Sequence, residues 1–358
     1  MNKHIATVAG STSDAKTADH LRGKRIVVTG ACGTVGKEIV AQLLNRFEPE
    51  LVIGLDNNES ELAYLYEFHR EHRNCRFFLC DMRDQAALMR EIRQVNVIFH
   101  AAAYKHVYIC ERSPMEAIQT NILGVQNVIQ SALANGATEL VFTSSDKAVN
   151  PTNVMGTSKL MGERLVTAAA IDPHHVGVKF LSTRFGNVLG SRGSVIPLFL
   201  EQIRKGGPIT LSDPGMTRFV MTLDESVRLT IASLVLGKPG DVVITKMPAI
   251  RIVDLVEVMI RECAPRHGFR PGDIAVKTVG KRPGEKLYEE LMNDEEIRRA
   301  IELEQYFVVR PAILTESMDA ESYESADYGK PQLPYNSANV EPLSQDALAE
   351  LLRSSSLI

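Results

Sequence analysis

The segment Arg25-Ile26-Val27-Val28-Thr29 runs without a break into Gly30-Ala31-Cys32-Gly33-Thr34-Val35-Gly36, and a helical pattern starts at once. This strand, turn and helix constrain the fold more than any other feature of the chain. The first glycine permits a tight turn, the second lets a pyrophosphate approach the backbone, and the third allows close packing of helix on strand. The helix amino terminus then faces the phosphates with unpaired N–H groups. The same rhythm continues: Leu51–Leu55, Arg76–Leu79, Val95–His100, Leu140–Thr143 and Val176–Ser182 read as strands, with helix-length amphipathic segments between them. Such alternation predicts right-handed crossovers and a doubly wound parallel α/β sheet whose ligands lie beyond the carboxyl ends of the strands.

Four regions follow. Residues 1–22 are small and polar and read as a loosely held tail; 23–187 carry the dinucleotide-binding pattern. Residues 188–310 break into loops and shorter elements, including an amphipathic helix at Ile252–Glu262, and read as a smaller interleaved substrate lobe. Residues 311–358 form a C-terminal extension of low periodicity until an N-capped helix at Ser344–Leu352. With 358 residues and 44% hydrophobic content, the chain can bury a full core. A formal charge of −4 argues against binding nucleic acid by neutralising phosphates. No apolar run approaches the ~20 residues of a bilayer span, and no secretion signal is evident, so a cytoplasmic location is expected. Five cysteines without a CxxC pair fit a reducing compartment. His69, His72, Cys75 and Cys80 are the one cluster with metal-ligand chemistry, but Cys80 ends a strand-like run too far from the helix face to close a tetrahedron. No metal is expected.

Asp56 closes the second strand twenty residues after Gly36, where a carboxylate can accept both adenosine ribose hydroxyls and repel a 2′-phosphate. No arginine stands at Asn57 or Asn58, so NAD is expected rather than NADP. Asp81, before Met82, is placed either to meet the adenine amino group or to cap a helix. Cys32, near a helix amino end, reads as a small packing residue. The fifth strand ends in Ser144-Ser145-Asp146-Lys147, a hydroxyl, a carboxylate and an amine at one strand end. An adjacent acid and amine with different intrinsic pKa values can serve as acid and base, or form a surface ion pair worth ~0–1 kcal/mol.

Several motifs in order carry a resemblance. They are His100-Ala101-Ala102-Ala103-Tyr104-Lys105-His106-Val107, Thr120-Asn121-Ile122-Leu123-Gly124, Ser144 through Lys159, and Arg184-Phe185-Gly186-Asn187-Val188. Further along come Ser191-Arg192-Gly193-Ser194-Val195-Ile196-Pro197, Met216-Thr217-Arg218-Phe219 and Arg282-Pro283-Gly284-Glu285-Lys286. Over roughly residues 23 to 310 the chain resembles the polysaccharide-biosynthesis branch of extended short-chain dehydrogenases, the nucleotide-sugar 4,6-dehydratases that act mainly on UDP-N-acetylglucosamine. The membrane-anchored amino-terminal half of some relatives is absent, which suggests a soluble member. In this superfamily a catalytic tyrosine ordinarily stands four residues before Lys159; here the position is Met155.

The resemblance implies that Gly30, Cys32, Gly33, Thr34, Val35, Gly36, Asp56, Asn57, Asp81, Met82, Ala101, Ala102, Ala103 and Lys159 surround the cofactor. It implies that oxidation at sugar carbon 4 makes the carbon-5 proton removable, with the hydride later returned to carbon 6. Asp146 would protonate the leaving hydroxyl, Lys147 would abstract the carbon-5 proton, and Ser145 would bond the carbon-4 oxygen. With Met155 in place of tyrosine, the group that deprotonates carbon 4 stays open. Lys105, His106, Asn187, Arg192, Ser194, Val195, Arg218, Arg282 and Glu285 are the substrate candidates, the arginines because guanidinium forks suit a diphosphate. Asp56-Asn57-Asn58 and the 151–156 insert look like retaining members, whereas Ser191–Phe199 and Met216–Phe219 look like inverting ones, so the outcome at carbon 5 is open. A 4-epimerase, or a non-catalytic NAD-binding sensor or scaffold, are the rival readings. Helices at 113–135 and 153–170 commonly pair between subunits in this superfamily, so a homo-oligomer, a dimer or larger, is expected.

Overall fold

The computed structural model describes residues 10–191, 193–313, 323 and 328–358. Six parallel strands, Arg25–Thr29 (β1), Leu51–Asp56 (β2), Cys75–Leu79 (β3), Val97–His100 (β4), Glu139–Thr143 (β5) and Lys179–Arg184 (β6), stand in the order β3-β2-β1-β4-β5-β6. Ile26 pairs with Val52 on one side of β1 and with Val97 on the other. Alternate side chains of β1 go to opposite faces. Ile26 and Val28 join Ile39, Val40 and Leu43 of helix Thr34–Arg46 and Val227 and Ile231 of helix Leu223–Leu236 in one core. Val27 packs with Leu88, Val125, Val128 and Val166 in the core on the other face. A strand buried on both faces has to be apolar throughout, which is why the pattern in β1, β4 and β5 is continuous rather than alternating.

Beyond β6 the sheet continues with Val242–Thr245, parallel to β6, and then with the antiparallel strands Tyr306–Val309 and Ala300–Glu302. These strands return to the main sheet after the chain has left it. The departing segments Asn187–Val188, Thr217–Met221 and Ala249–Arg251 form a small separate sheet. Helices Val195–Arg204 and Ile252–Cys263 close over their own apolar core, with Phe199, Ile203, Leu255 and Met259 among its members. The fold is thus the extended short-chain dehydrogenase form of the Rossmann sheet, with a smaller interleaved lobe. Strand order reverses between β1 and β4, which opens a crevice at their carboxyl ends.

The segment expected to be a loose tail contains a helix, Gly10–Leu21. Thr17 and Leu21, four apart and therefore on one helical face, are buried, and Leu21 joins the core beside Val227 and Ile231. His20 reaches Glu139 at 2.8 Å. The sixth strand starts at Lys179 rather than Val176: Val176 is 91% exposed, and Gly177 turns the chain with φ +79°. The C-terminal helix spans Gln345–Ser354 and buries Leu348 and Leu352 in the small lobe's core, with the Ser344 side chain accepting from the Ala347 N–H. Among the described residues no helix is long and apolar enough to cross a membrane, and no cluster of His, Cys, Asp or Glu is arranged to hold a metal ion.

One buried ion cluster ties the lobes together. Arg184 at the end of β6 forks onto Glu163 of helix Val154–Ile171 at 2.7 and 2.6 Å, and onto Glu296 at 2.9 and 2.7 Å. With Arg184 locked, the chain leaves β6 toward Asn187 in a set direction.

Candidate active site

The glycine turn lies against the strand end across the crevice. A Cβ on Gly30, whose φ is +68°, would stand 2.6 Å from the Ala102 N and 2.7 Å from its Cα. A Cβ on Gly36 would stand 2.0 Å from the Gly30 O, so helix Thr34–Arg46 packs on the turn only because that atom is missing. Gly30, Cys32, Gly33, Asp56, Asn57, Asp81, Met82 and Ala101 to Ala103 line one recess of about 270 Å³. Thr34, Val35 and Gly36 lead from it into an adjoining cavity of about 510 Å³. Asp56 is fixed by backbone donors, the Cys32 N–H at 2.9 Å and the Asn58 N–H at 3.0 Å. Arg83 forks onto Asp81 at 2.7 and 3.0 Å, and this hydrogen bonding holds the Asp81 carboxyl below its ordinary value. A cradle that any Cβ would fill, a helix amino end and a carboxylate at the second strand end are the donor set a dinucleotide needs, so the residues present fit that group. Burial pushes the Cys32 thiol up to about 12, which removes it as a nucleophile at neutral pH.

The larger of these two cavities gathers most of the candidate catalytic groups. Its lining includes Ser145, Lys147, Met155, Lys159, Lys105 and His106. Lys159 donates to the Thr143 carbonyl at 2.8 Å, lies 4.5 Å from the Phe142 ring centre, and is pulled down to about 8 by burial. Asn121, in a π-helical turn at Gln119–Leu123, accepts from the Tyr104 N–H at 2.8 Å and donates to the Ser158 hydroxyl at 2.9 Å, which joins the loop after β4 to helix Val154–Ile171. His100 is a satisfied core residue on one side only: its Nδ1 meets the Thr29 hydroxyl at 2.6 Å, Nε2 has no partner, and burial pulls the ring down to about 3. Met155 is 3% exposed and packs with Cys110 and Ala117. It offers no proton.

Beyond β5 the chain makes a single 3₁₀ turn, Asp146–Ala148. The Ser145 hydroxyl donates to Asp146 Oδ1 at 2.5 Å, and Lys147 Nζ lies 3.0 and 3.2 Å from the two Asp146 oxygens. Lys147 also meets Glu289 Oε1 at 3.2 Å. Glu289 is buried, takes the Asn187 amide at 2.8 Å and faces Arg218 Nε at 3.4 Å. Its backbone is clamped by Ser337, whose hydroxyl accepts from the Glu289 N–H at 2.9 Å and whose N–H reaches the Glu289 carbonyl at 2.8 Å. Burial opposes every charge in this cluster, but pairing decides the outcome for two members: Lys147 keeps Asp146 ionised below its ordinary value, while Asp146 and Glu289 hold the ammonium well above its own. Glu289 goes the other way, pushed up to about 7 by burial and by the Asp146 charge. At rest, then, Asp146 is a carboxylate and Lys147 an ammonium.

Asn187, Ser194 and Val195 border a further recess of about 610 Å³ in the small lobe, together with Arg218, Arg282 and Glu285. Arg218 is less free than its sequence position suggests, because it donates to the Thr217, Leu287 and Lys286 carbonyls at 2.7, 3.1 and 3.0 Å. Glu285 takes the Ser212 hydroxyl at 3.3 Å. His106 lies against Gly193, where a Cβ would stand 2.6 Å from its ring. Arg192 lies outside the described residues. Apart from Arg192, every catalytic, cofactor and substrate candidate named from the sequence borders this connected set of cavities or, like Asp146, stands in the wall of a neighbouring one. Glu289, Ser337 and the pinning role of Asn121 escaped the sequence reading. Glu289-Glu290 looks like an ordinary solvated pair, and only the fold brings it to Lys147.

Known proteins resemble the chain in sequence and in fold. Residues 26–311 match the family described as polysaccharide biosynthesis protein. An uncharacterized membrane protein of Methanocaldococcus jannaschii is 50% identical over 81% of this chain and 86% of its own length. A UDP-N-acetylglucosamine 4,6-dehydratase (inverting) of Campylobacter jejuni is 35% identical over 81% of this chain and 84% of its own. A UDP-glucose 4-epimerase of Rickettsia rickettsii is 34% identical over 92% and 95%. Against the longer capsular polysaccharide biosynthesis protein CapD of Staphylococcus aureus, 40% identical, the chain spans 46% of the relative's length. The X-ray structure of Pen from Bacillus thuringiensis superposes with a TM-score of 0.86 at 37% identity, covering 94% of this chain and 99% of that one. Both by its motifs and by its sheet, the chain belongs to the polysaccharide biosynthesis protein family, a branch of the extended short-chain dehydrogenases.

Proposed function

We propose that this chain is a nucleotide-sugar 4,6-dehydratase that uses NAD⁺ and converts UDP-N-acetylglucosamine to a UDP-4-keto-6-deoxy-N-acetylhexosamine for surface polysaccharide or glycan synthesis. The observation that carries the reading is the hydrogen-bonded run Ser145–Asp146–Lys147 at the end of β5, in the cleft that also holds Lys159 and the glycine turn. A 4-epimerase has no use for an acid and a base at carbons 5 and 6, and Met155 fills the place of the phenol on which it would rely. A sensor needs none of the three groups.

When bound, a nicotinamide dinucleotide would take a hydride from carbon 4 and return it to carbon 6. The residues of this chain handle the protons. The 2.5 Å bond from Ser145 to an ionised Asp146 gives the carbon-4 hydroxyl a route for its proton in place of the tyrosine: Ser145 receives it and passes its own to Asp146. Asp146, now protonated, is the acid for the departing oxygen at carbon 6. Lys147 faces carbon 5 as base. Lys159 holds the nicotinamide ribose, and the recess of about 610 Å³ in the small lobe is large enough for the nucleotide diphosphate, with Arg282 among its lining residues. Asp56 favours NAD⁺ over NADP⁺, since Arg83 is committed to Asp81 and Glu116.

Incubation with UDP-N-acetylglucosamine and NAD⁺ in deuterated water, read by NMR, tests the proposal. The expected product is a 4-keto-6-deoxy sugar with deuterium at carbon 5, and its coupling constants also report whether that centre is retained or inverted. A C4-epimerised sugar with carbon 6 still hydroxylated would support the epimerase instead. Asp146→Asn should lower turnover by about 10²- to 10⁴-fold.

A further inference from the structure

Lys147 cannot act on carbon 5 while it is an ammonium, and the buried site holds it as one from two sides. Asp146 contacts Nζ at 3.0 and 3.2 Å, and Glu289 at 3.2 Å. The ammonium therefore needs a proton acceptor within the protein, and that acceptor has to differ from Asp146, which must itself arrive protonated at the leaving oxygen.

We propose that Glu289 is that acceptor: it takes a proton from Lys147 before carbon 5 is deprotonated and returns it at the end of turnover. This rests on the dehydratase reading above and goes beyond it. Glu289 acts through Lys147 and is a positioning residue. The geometry supplies the path, since Oε1 lies within reach of Nζ while Oε2 is held by the Asn187 amide at 2.8 Å and the backbone is locked on Ser337. The groups facing Glu289 are Asp146 and Lys147 from the turn after β5, Asn187 and Arg218 from the small sheet, and Ser337 from the C-terminal segment. On its own segment, Lys286 and Glu290 are paired with one another at 2.9 Å.

The proton count closes. The carbon-4 hydroxyl proton passes through Ser145 to Asp146, which neutralises one of the two anions holding Lys147. An N–H bond of Lys147 then breaks and an O–H bond forms on Glu289, leaving a free amine. The amine takes the carbon-5 proton, and the electron pair of that C–H bond moves into an enolate at carbon 4. Collapse of the enolate expels the carbon-6 oxygen, which leaves as water with the proton from Asp146. Lys147 returns a proton to carbon 5 as carbon 6 is reduced, and Glu289 then reprotonates Lys147. The cluster ends as it began.

Glu289 has to be ionised to accept, and its carboxyl is pushed up to about 7, so dehydration should rise with pH through that value. The test compares wild type, Glu289→Gln and Glu289→Asp by single-turnover absorbance of reduced cofactor, by NMR of the product from UDP-N-acetylglucosamine, and by infrared spectra of the carboxyl region across the pH range. Glu289→Gln should still bind and reduce NAD⁺, form product about 10²-fold more slowly, and lose the acid limb; Glu289→Asp should restore part of the rate. Independently of any substrate, wild type should show a carboxyl band that vanishes as pH rises through about 7 and is missing from Glu289→Gln. An acid limb that persists in Glu289→Gln, equal slowing of oxidation and dehydration, or absence of that band would overturn the proposal. Should wild type fail to form a 4-keto-6-deoxy sugar while the band is present, the dehydratase reading fails instead.

Discussion

Gly156 offers the sharpest test of how the site is held, because it touches no reactive atom. It lies in the first turn of helix Val154–Ile171, and a Cβ there would stand 2.2 Å from the Lys147 carbonyl oxygen, 3.1 Å from its carbon and 3.2 Å from Pro151 Cβ. Unstrained carbon–oxygen contacts begin at about 3.3 Å, so Gly156→Ala requires a shift of about 1 Å. The helix is the less yielding partner: Asn153 accepts from the Gly156 N–H at 2.8 Å, Ser158 is bonded to Asn121 at 2.9 Å, and Lys159 to the Thr143 carbonyl at 2.8 Å. The short turn carrying Asp146 and Lys147 moves instead. Misplacing a reactive group by about 1 Å can cost roughly 10²-fold in rate, and overpacking costs about 1–3 kcal/mol of stability. Turnover by NMR, cofactor titration by calorimetry and urea denaturation separate the effects. The expected result is a loss of about 10²-fold in turnover with NAD⁺ affinity within a few-fold of wild type, since the glycine turn is untouched. Unchanged turnover, or a loss explained wholly by weaker cofactor binding, would refute the reasoning.

Three further outcomes are expected. Asp56→Ala removes a charged acceptor for the ribose hydroxyls, worth about 1.5–3 kcal/mol, so the NAD⁺ dissociation constant should rise by about 10- to 150-fold; wild-type binding of NADP⁺ as tight as that of NAD⁺ would contradict the role given to Asp56. Lys159 is pulled down to about 8 by burial, so its charge is present below that pH and lost above it. Cofactor affinity should decline above about pH 8 in wild type and show no such limb in Lys159→Met, as titrations across pH would reveal. Arg184→Met strands two buried carboxylates and should cost about 3–5 kcal/mol in urea denaturation.

What could be read from the sequence follows from the range over which each signal acts. β1 and its glycine turn are legible because strand burial, tight turning and close helix packing are all local demands met by consecutive residues. The helix Gly10–Leu21 is hidden because its docking face includes few apolar side chains and its partner, helix Leu223–Leu236, lies some two hundred residues away. Arg218 is visible as an arginine in a motif, but the backbone carbonyls that occupy it cannot be seen until the chain is folded. Glu289 is the extreme case. It is 142 residues from Lys147, and a pair of adjacent glutamates carries no hint of burial.

Met155 also explains why the reactive groups belong to both lobes. A tyrosine at that position would offer its own hydroxyl to carbon 4, with Lys159 beside it on the same helix. The buried thioether, packed on Cys110 and Ala117, closes that position to proton exchange, and in the proposed reaction the work falls to the end of β5. There the carboxylate and the ammonium lie so close that each holds the other in the wrong state for catalysis. In the proposed mechanism a second carboxylate within reach of Lys147 resolves the deadlock. Glu289 does so from the small lobe, anchored by Asn187 and Arg218 of the small sheet and by Ser337 of the C-terminal segment. In the proposed mechanism the interleaving of the chain therefore has a chemical consequence: the strands that leave the main sheet carry Asn187 and Arg218, which anchor the carboxylate that completes the proton path.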